Sequence, residues 1–275
     1  MIGSRLIRSV FSQSFINRIK QFLPLDTDQN FEIQRISNIE RFQEGKTSLI
    51  AQDFHFIDSE SFINQYLEIF ENQCLFFETN NQKPKIIDCG ANIGISILYY
   101  KRLYPEAYII GFEPDPKIFK ILQENLRFCN NDQVKVINKA VWHEQTSINF
   151  LPDEADGGKI TEEGQLTVKA VRLNDYLSES IDFLKMDIEG AEHDVLPSIS
   201  NNLKNVKFLF LEVHLEYNTS QKLENILSIL RSNGFVYSFK TVKNLSFKEL
   251  LSSKIRKGFT QQLNIFALNE NTRNL

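Results

Sequence analysis

The run Ile86-Ile87-Asp88-Cys89-Gly90-Ala91-Asn92-Ile93-Gly94-Ile95-Ser96 constrains this chain more than any other stretch. Its β-branched residues suit a buried central strand, which stops at an acid and a glycine before the sequence turns helical. Gly90 supplies backbone freedom where a side chain would clash. Gly94 opens the following helix, where a missing side chain lets helix and strand, or backbone and ligand, come close. A strand–glycine turn–helix unit of this kind builds the nucleotide-binding crevice of an open parallel sheet.

The chain downstream repeats that alternation. Ser96 to Tyr104 reads as a helix stopped by Pro105, and Ala107 to Phe112 as a second strand. Phe119, Leu122 and Leu126 mark a helix, and Val134 to Ile137 a third strand. Strands Ser147–Leu151 and Leu166–Leu173 then interrupt the pattern. They flank the polar, glycine-bearing run Pro152 to Gly164, either a lid or a hairpin connection. Phe183 to Asp187 resumes as a strand, with a helix from Ala191, a strand from Lys207 to Val213, and a helix from Leu223 to Leu230 closed by Gly234. Phe235–Phe239 and Asn264–Leu268 end the chain as an antiparallel pair at the sheet edge. Strands separated by helices imply right-handed crossovers and a mostly parallel sheet covered on both faces.

Ahead of this α/β domain (residues 84–270) lies an α+β appendage, residues 29–83. Ser48–Ala51 and Phe54–Ile57 read as short strands, and Asp58 starts a helix through Phe62, Tyr66 and Ile69. Asn80-Asn81-Gln82-Lys83-Pro84 marks the boundary. Residues 1–28 carry Ile7, Phe11, Phe15 and Ile19 at helical spacing, with Arg5, Arg8, Arg18 and Lys20 and no acid before Phe22. That pattern suits an amphipathic helix, docked on protein or touching a membrane surface through residues 1–22.

Composition narrows the function classes. With 275 residues, 42% hydrophobic and 24% charged, the chain is an ordinary globular protein, and its net charge of −4 argues against nucleic acid as partner. Cys74, Cys89 and Cys129 have neither metal-knuckle nor redox spacing, so a reducing cytoplasm is the expected setting. Apolar runs fall short of the ~20 residues of a membrane helix, and polar residues interrupt the N-terminal stretch where a signal peptide needs continuity.

Ligands of open α/β sheets bind at the C-terminal ends of the strands. Those ends carry Asp88, Glu113, Asn138, Asp187 with Glu189, and Glu212 with His214. Glu113 stands 19 residues beyond Gly94, where an acid can accept hydrogen bonds from both hydroxyls of a ribose. The glycine loop lacks the three-glycine spacing of dinucleotide sites, and the charge of Asp88 would oppose a pyrophosphate. S-adenosylmethionine, cationic at its amino group and sulfonium, is the better electrostatic match. His55 reads as a strand residue, His143 and His193 as surface residues.

The blocks Asp88–Ser96, Phe112-Glu113-Pro114-Asp115-Pro116 and Leu184–Glu192 resemble the signatures of FkbM-family methyltransferases. Asn138-Lys139-Ala140-Val141 and Glu212-Val213-His214 are similar in type and order, so the resemblance spans Lys85 to about Leu268. It implies a Rossmann-like class I methyltransferase sheet of order 3-2-1-4-5-7-6, with the last strand antiparallel. It also implies O-methyl transfer from S-adenosyl-L-methionine to a hydroxyl of a sugar, glycan or natural product. By resemblance, Asp88, Gly90 and Asn92 face the methionine portion of the cofactor, Glu113 the ribose, and Asn138 and Ala140 lie near the adenine, while Ala91, Gly94 and Asp187 complete the cofactor-binding set. Transfer to a hydroxyl needs in-line positioning and a proton acceptor. His214 and Asp187 are the candidate bases, His214 being matched to neutral pH, while Glu189 orients the acceptor or caps a helix. No metal is assigned, and whether one is needed stays open, since Asp187, Glu189, Glu212 and His214 form an oxygen-rich set suited to a divalent cation. A nicotinamide-dependent oxidoreductase and a non-catalytic nucleoside-binding scaffold are the rival readings.

Overall fold

The computed structural model describes residues 27–153, 157–216, 222–243 and 259–272. The amphipathic N-terminal segment, residues 1–22, lies outside them. Helix α1 (Thr27–Ser37) leads into a short antiparallel ribbon of β1 (Gly45–Thr47) and β2 (Phe54–Phe56). The first strand of that ribbon falls earlier than Ser48–Ala51, where the chain turns instead. Thr47 is responsible for part of this: its Oγ1 accepts from the Leu49 N–H and bends the backbone. Asp58 caps α2 (Ser59–Tyr66), accepting from the Ser61 N–H, and is held by the Arg41 guanidinium. The helix continues into a π-turn, Leu67–Glu71, closed by the Asn72 N–H on the Leu67 carbonyl.

The central sheet contains β3 (Lys85–Cys89), β4 (Tyr108–Phe112), β5 (Val134–Ile137), β10 (Ile181–Met186), β11 (Val206–Glu216), β12 (Phe235–Lys243) and β13 (Phe259–Asn269). Its order is β12-β13-β11-β10-β3-β4-β5, with β13 antiparallel to both neighbours. Counted along the sheet strands, this is the 3-2-1-4-5-7-6 order with strand 7 reversed. A smaller sheet holds β6 (Ala140–Trp142), β9 (Leu166–Arg172), β7 (Ser147–Leu151) and β8 (Lys159–Ile160). Helices α3 (Ile95–Leu103) and α4 (Pro116–Asn125) cover one face of the central sheet; α5 (Glu192–Ser198) and α6 (Lys222–Ser232) cover the other.

Strand alternation sorts residues between the two faces. Ile86, Phe183 and Phe210 point to the α3/α4 side; Ile87, Leu184, Leu209 and Leu211 point to the α5/α6 side. The appendage joins the first of these cores. Phe77 is 2% exposed, and its ring lies 4.8–6.4 Å from those of Tyr100, Tyr104, Phe183 and Phe208. Residues 29–83 therefore share a core with the sheet instead of burying one of their own. No helix among the described residues is long and apolar enough to cross a membrane.

Because Phe77 is the joint, Phe77→Ala should cost about 3–5 kcal/mol. Urea unfolding followed by near- and far-UV dichroism should still show one transition; a separate early transition would contradict the shared core.

Candidate active site

The even-numbered positions of β3 and the odd-numbered positions of β10 lie on the α3/α4 face, and near their C-terminal ends they turn from apolar to charged. Asp88 and Lys185 are register partners, so their side chains meet: Lys185 Nζ is 3.4 Å from Asp88 Oδ1 and 3.3 Å from Asp187 Oδ2. The same ammonium donates to the Gly90 carbonyl at 2.8 Å. Ser96 Oγ donates to the other oxygen of Asp88. Burial opposes a charge on Lys185, but the carboxylates of Asp88, Asp187 and Glu212 outweigh it and hold the ammonium above the ordinary lysine range.

This arrangement shapes the glycine loop. Gly90 has φ +88°, and a Cβ there would come within 1.9 Å of the Asp187 carbonyl. Gly94, φ +96°, packs where a Cβ would meet Leu122 at 2.9 Å. Every N–H from Gly90 to Gly94 is already engaged. Gly90 and Ala91 donate to the Phe112 carbonyl, Asn92 to Glu113, Ile93 to Asn92 Oδ1, and Gly94 to the Ala91 carbonyl. These amides are thus not on offer to a pyrophosphate.

The expectation for Asp88 needs correction here. It is fully buried and does not line the cavity, and Lys185 balances its charge, so Asp88 does not by itself repel a phosphate. The engaged amides carry that argument instead. Gly94 and Asn138 also stand behind the wall, while Gly90, Ala91, Asn92, Glu113, Ala140, Asp187, Glu189 and His214 line the cavity. Asn138 donates its amide to the carbonyls of Glu113 and Pro114, steadying the Glu113 turn.

Glu113 is 6% exposed and accepts from the N–H groups of Asn92 (3.0 Å) and Asp115 (2.8 Å). Burial nonetheless pushes its carboxyl up to about 8. The cavity measures about 700 Å³, within the roughly 300–1,000 Å³ of small-molecule clefts. Asp153, Gly157 and Gly158, from between β7 and β8, and Ile160 of β8 border it.

At the other end stands a second charged group. His214, 3% exposed, has Nε2 at 3.4 Å from Glu189 and 3.6 Å from Glu212, and Nδ1 at 3.7 Å from Glu192. Burial disfavours its charge, but Glu192, Glu189 and Asp187 outweigh this and push the imidazole up to about 10. His214 is therefore an imidazolium at neutral pH, in contrast with a base poised near 7. Glu189 reaches it from a left-handed backbone, φ 54°. Glu192 caps the turn by accepting from Ile188 and Gly190 N–H. His193 is buried, contrary to the surface expectation, with Nε2 2.9 Å from the His214 carbonyl. Burial, with Asp187 close by, pushes Glu212 well above the usual carboxylate range, and Gln262 donates to it. Ligand atoms of Asp187, Glu212 and His214 lie within 4.8 Å of one another, a spacing a divalent cation can bridge. Ligation needs a neutral imidazole, so such a cation would first have to displace the proton of His214.

Lys185, Glu192, Glu68 and Asn264 were not singled out from the sequence. Lys185 left a trace: a lysine inside an otherwise apolar strand, two positions before Asp187, must be buried and needs an acid opposite. Lys185→Met should destabilise the protein by about 3–5 kcal/mol, with part of the loss restored when Asp88→Asn is added. A loss under about 1 kcal/mol by urea denaturation would refute the ion cluster's structural role.

Comparison with known proteins follows the same outline. The family described as "Methyltransferase FkbM domain" matches residues 88–237, more than half of the chain. Methyltransferase sdnD of Sordaria araneosa is 30% identical over 180 residues, covering 49% of this chain and 67% of its own length. 2-O-methyltransferase NoeI of Sinorhizobium fredii (strain NBRC 101917 / NGR234) is 29% identical over 183 residues, covering 57% and 74%. The crystal structure of methyltransferase FkbM from Methylobacillus flagellatus KT superposes with a TM-score of 0.45 at 16% identity, covering 86% of this chain and 59% of its own. This chain belongs to the FkbM methyltransferase family and is a methyltransferase.

Proposed function

We propose that the protein transfers a methyl group from S-adenosyl-L-methionine to a hydroxyl of a sugar, glycan or natural product. The observation that carries this reading is one continuous cavity. It has a phosphate-averse glycine cradle and a buried ribose-type acid at one end, and a cluster of acids around Asp187 at the other. The name of NoeI, an O-methyltransferase, supports a hydroxyl acceptor. The engaged amides of the loop disfavour a nicotinamide dinucleotide.

When bound, S-adenosylmethionine supplies a methyl group already activated on a sulfonium. Glu113 receives the ribose hydroxyls, Gly90 and Asn92 border the methionine portion, and Ala140 the adenine. Lys185 fixes the Gly90 carbonyl and the Asp187 carboxylate together, so cradle and proton acceptor keep one spacing. Asp187, half-buried in the acid cluster, takes the hydroxyl proton as the new bond forms. His214, already charged, orients Glu189 and Glu212 and offsets negative charge beside the acceptor oxygen.

Two measurements test this. Asp187→Asn should lower kcat by ~10²–10⁴, and an unchanged kcat would remove Asp187 as the proton acceptor. Turnover should also survive exhaustive chelation; activity lost and then restored by magnesium or manganese would reassign Asp187, Glu212 and His214 to a cation.

Glu113 adds a pH dependence. With its carboxyl raised to about 8, any stability it contributes is present below the unfolded value of 4.5 and is lost as pH rises through about 8. A ligand that binds the carboxylate acts in the opposite sense. S-adenosylhomocysteine should bind roughly tenfold tighter at pH about 8.5 than at about 6.5, and Glu113→Gln should flatten that slope in calorimetry. A pH-independent affinity in the wild type would contradict it.

A further inference from the structure

The acceptor end of the cavity is only partly built by the sheet. Lys240, Asn264 and Glu212 form one row across β12, β13 and β11, each the register partner of the next. Over this row sits the π-turn of the appendage. The turn presents Glu68 to the cavity, and Asn264 Nδ2 donates to Glu68 Oε1 at 2.8 Å across 196 residues of sequence. A π-turn is a costly local geometry that concentrates at functional sites, and here it carries an acid to the cavity wall.

The charges around Glu68 are unevenly matched. Lys185 is held by Asp88 and Asp187, and His214 by Glu189, Glu192 and Glu212. Burial pushes Glu68 upward, countered by Lys240 and the Asn264 hydrogen bond and reinforced by Asp187. Lys240 itself is exposed at the rim, where water weakens it. Asn264 is completely buried, and its Oδ1 has no hydrogen-bond partner among the described residues. Asn264 stands behind the wall and holds Glu68 in place, so the hydrogen-bond acceptor presented to the cavity here is the Glu68 carboxylate, which disfavours added negative charge.

Resting on the methyltransferase reading above, we infer that Glu68 is an acceptor-specificity residue. Its carboxylate accepts hydrogen bonds from hydroxyls of an uncharged polyhydroxylated ring and repels acceptors that carry a carboxylate. The appendage thereby supplies recognition, and the Rossmann-like domain supplies the cradle and the proton acceptor. Discrimination of this kind combines an attractive contact for one ligand with a repulsive one for its rival.

The test uses the full chain at pH 8, radiolabelled S-adenosylmethionine, and the methyl glycosides of glucose, galactose and mannose beside their corresponding uronates. Wild type should favour a neutral glycoside. Glu68→Gln should raise its KM by roughly tenfold, leave kcat within about twofold, and narrow the neutral-to-uronate ratio of kcat/KM by roughly tenfold. Glu68→Asp, which keeps the charge, should keep the discrimination. Calorimetry with S-adenosylhomocysteine should give one affinity for all three proteins. Unchanged KM and ratio in Glu68→Gln, or a wild type that prefers uronates, would overturn the inference while leaving methyl transfer intact. Loss of S-adenosylhomocysteine binding in Glu68→Gln would also overturn it, by showing that Glu68 only holds the cavity together. Wild type that binds S-adenosylhomocysteine but methylates no glycoside would instead refute the sugar-acceptor reading beneath it.

Discussion

Lys185 is buried in the middle of the sheet, its ammonium within 3.4 Å of Asp88 and 3.3 Å of Asp187 and donating to the Gly90 carbonyl. Desolvating such charges costs several kcal/mol per ion, and only close pairing and complete hydrogen bonding offset it. The cluster therefore tolerates little displacement, and it touches every part of the site. Through Asp88 it reaches Ser96 at the start of α3; through Gly90 it sets the glycine loop; through Asp187 it reaches the acid cluster around His214. A single buried cation thus couples the glycine loop to the acid cluster at the other end of the cavity.

The strand period extends this coupling outward. Side chains two residues apart share a face, so the apolar residues that pack under α3 and the appendage continue, one pleat later, as the charged row of the cavity. Phe183 is followed on its face by Lys185, and Phe210 by Glu212 and then His214. The core and the site are consecutive segments of the same surface. The appendage covers both, with Phe77 over the apolar part and Glu68 over the charged part.

Much of this was legible in the amino-acid order. Ile86–Gly94, Glu113 and Asp187 sit where alternating strands and helices put them, and the edge pair β12–β13 follows from two strands lacking a helix between them. The strand at Ser48–Ala51 was misplaced because the Thr47 side chain turns the chain locally. His193 was misjudged because helical position alone does not reveal that the His214 carbonyl lies within its reach. Asp88 and Asn138 were correctly located on the chain, yet their side chains serve Lys185 and the Glu113 turn and do not line the cavity.

The sequence by itself determined the sheet, the glycine cradle and the acid that ends the second strand. Those depend on local periodicity and on backbone conformations that few residues can adopt. Tertiary structure alone decided the ionisation of the cluster around His214. The state of His214 depends on carboxylates drawn from α5, the turn before it and the residue that follows β10, and the placement of Glu68 depends on a contact across 196 residues. Charge–charge energies vary with distance and burial, and neither is written in the order of residues.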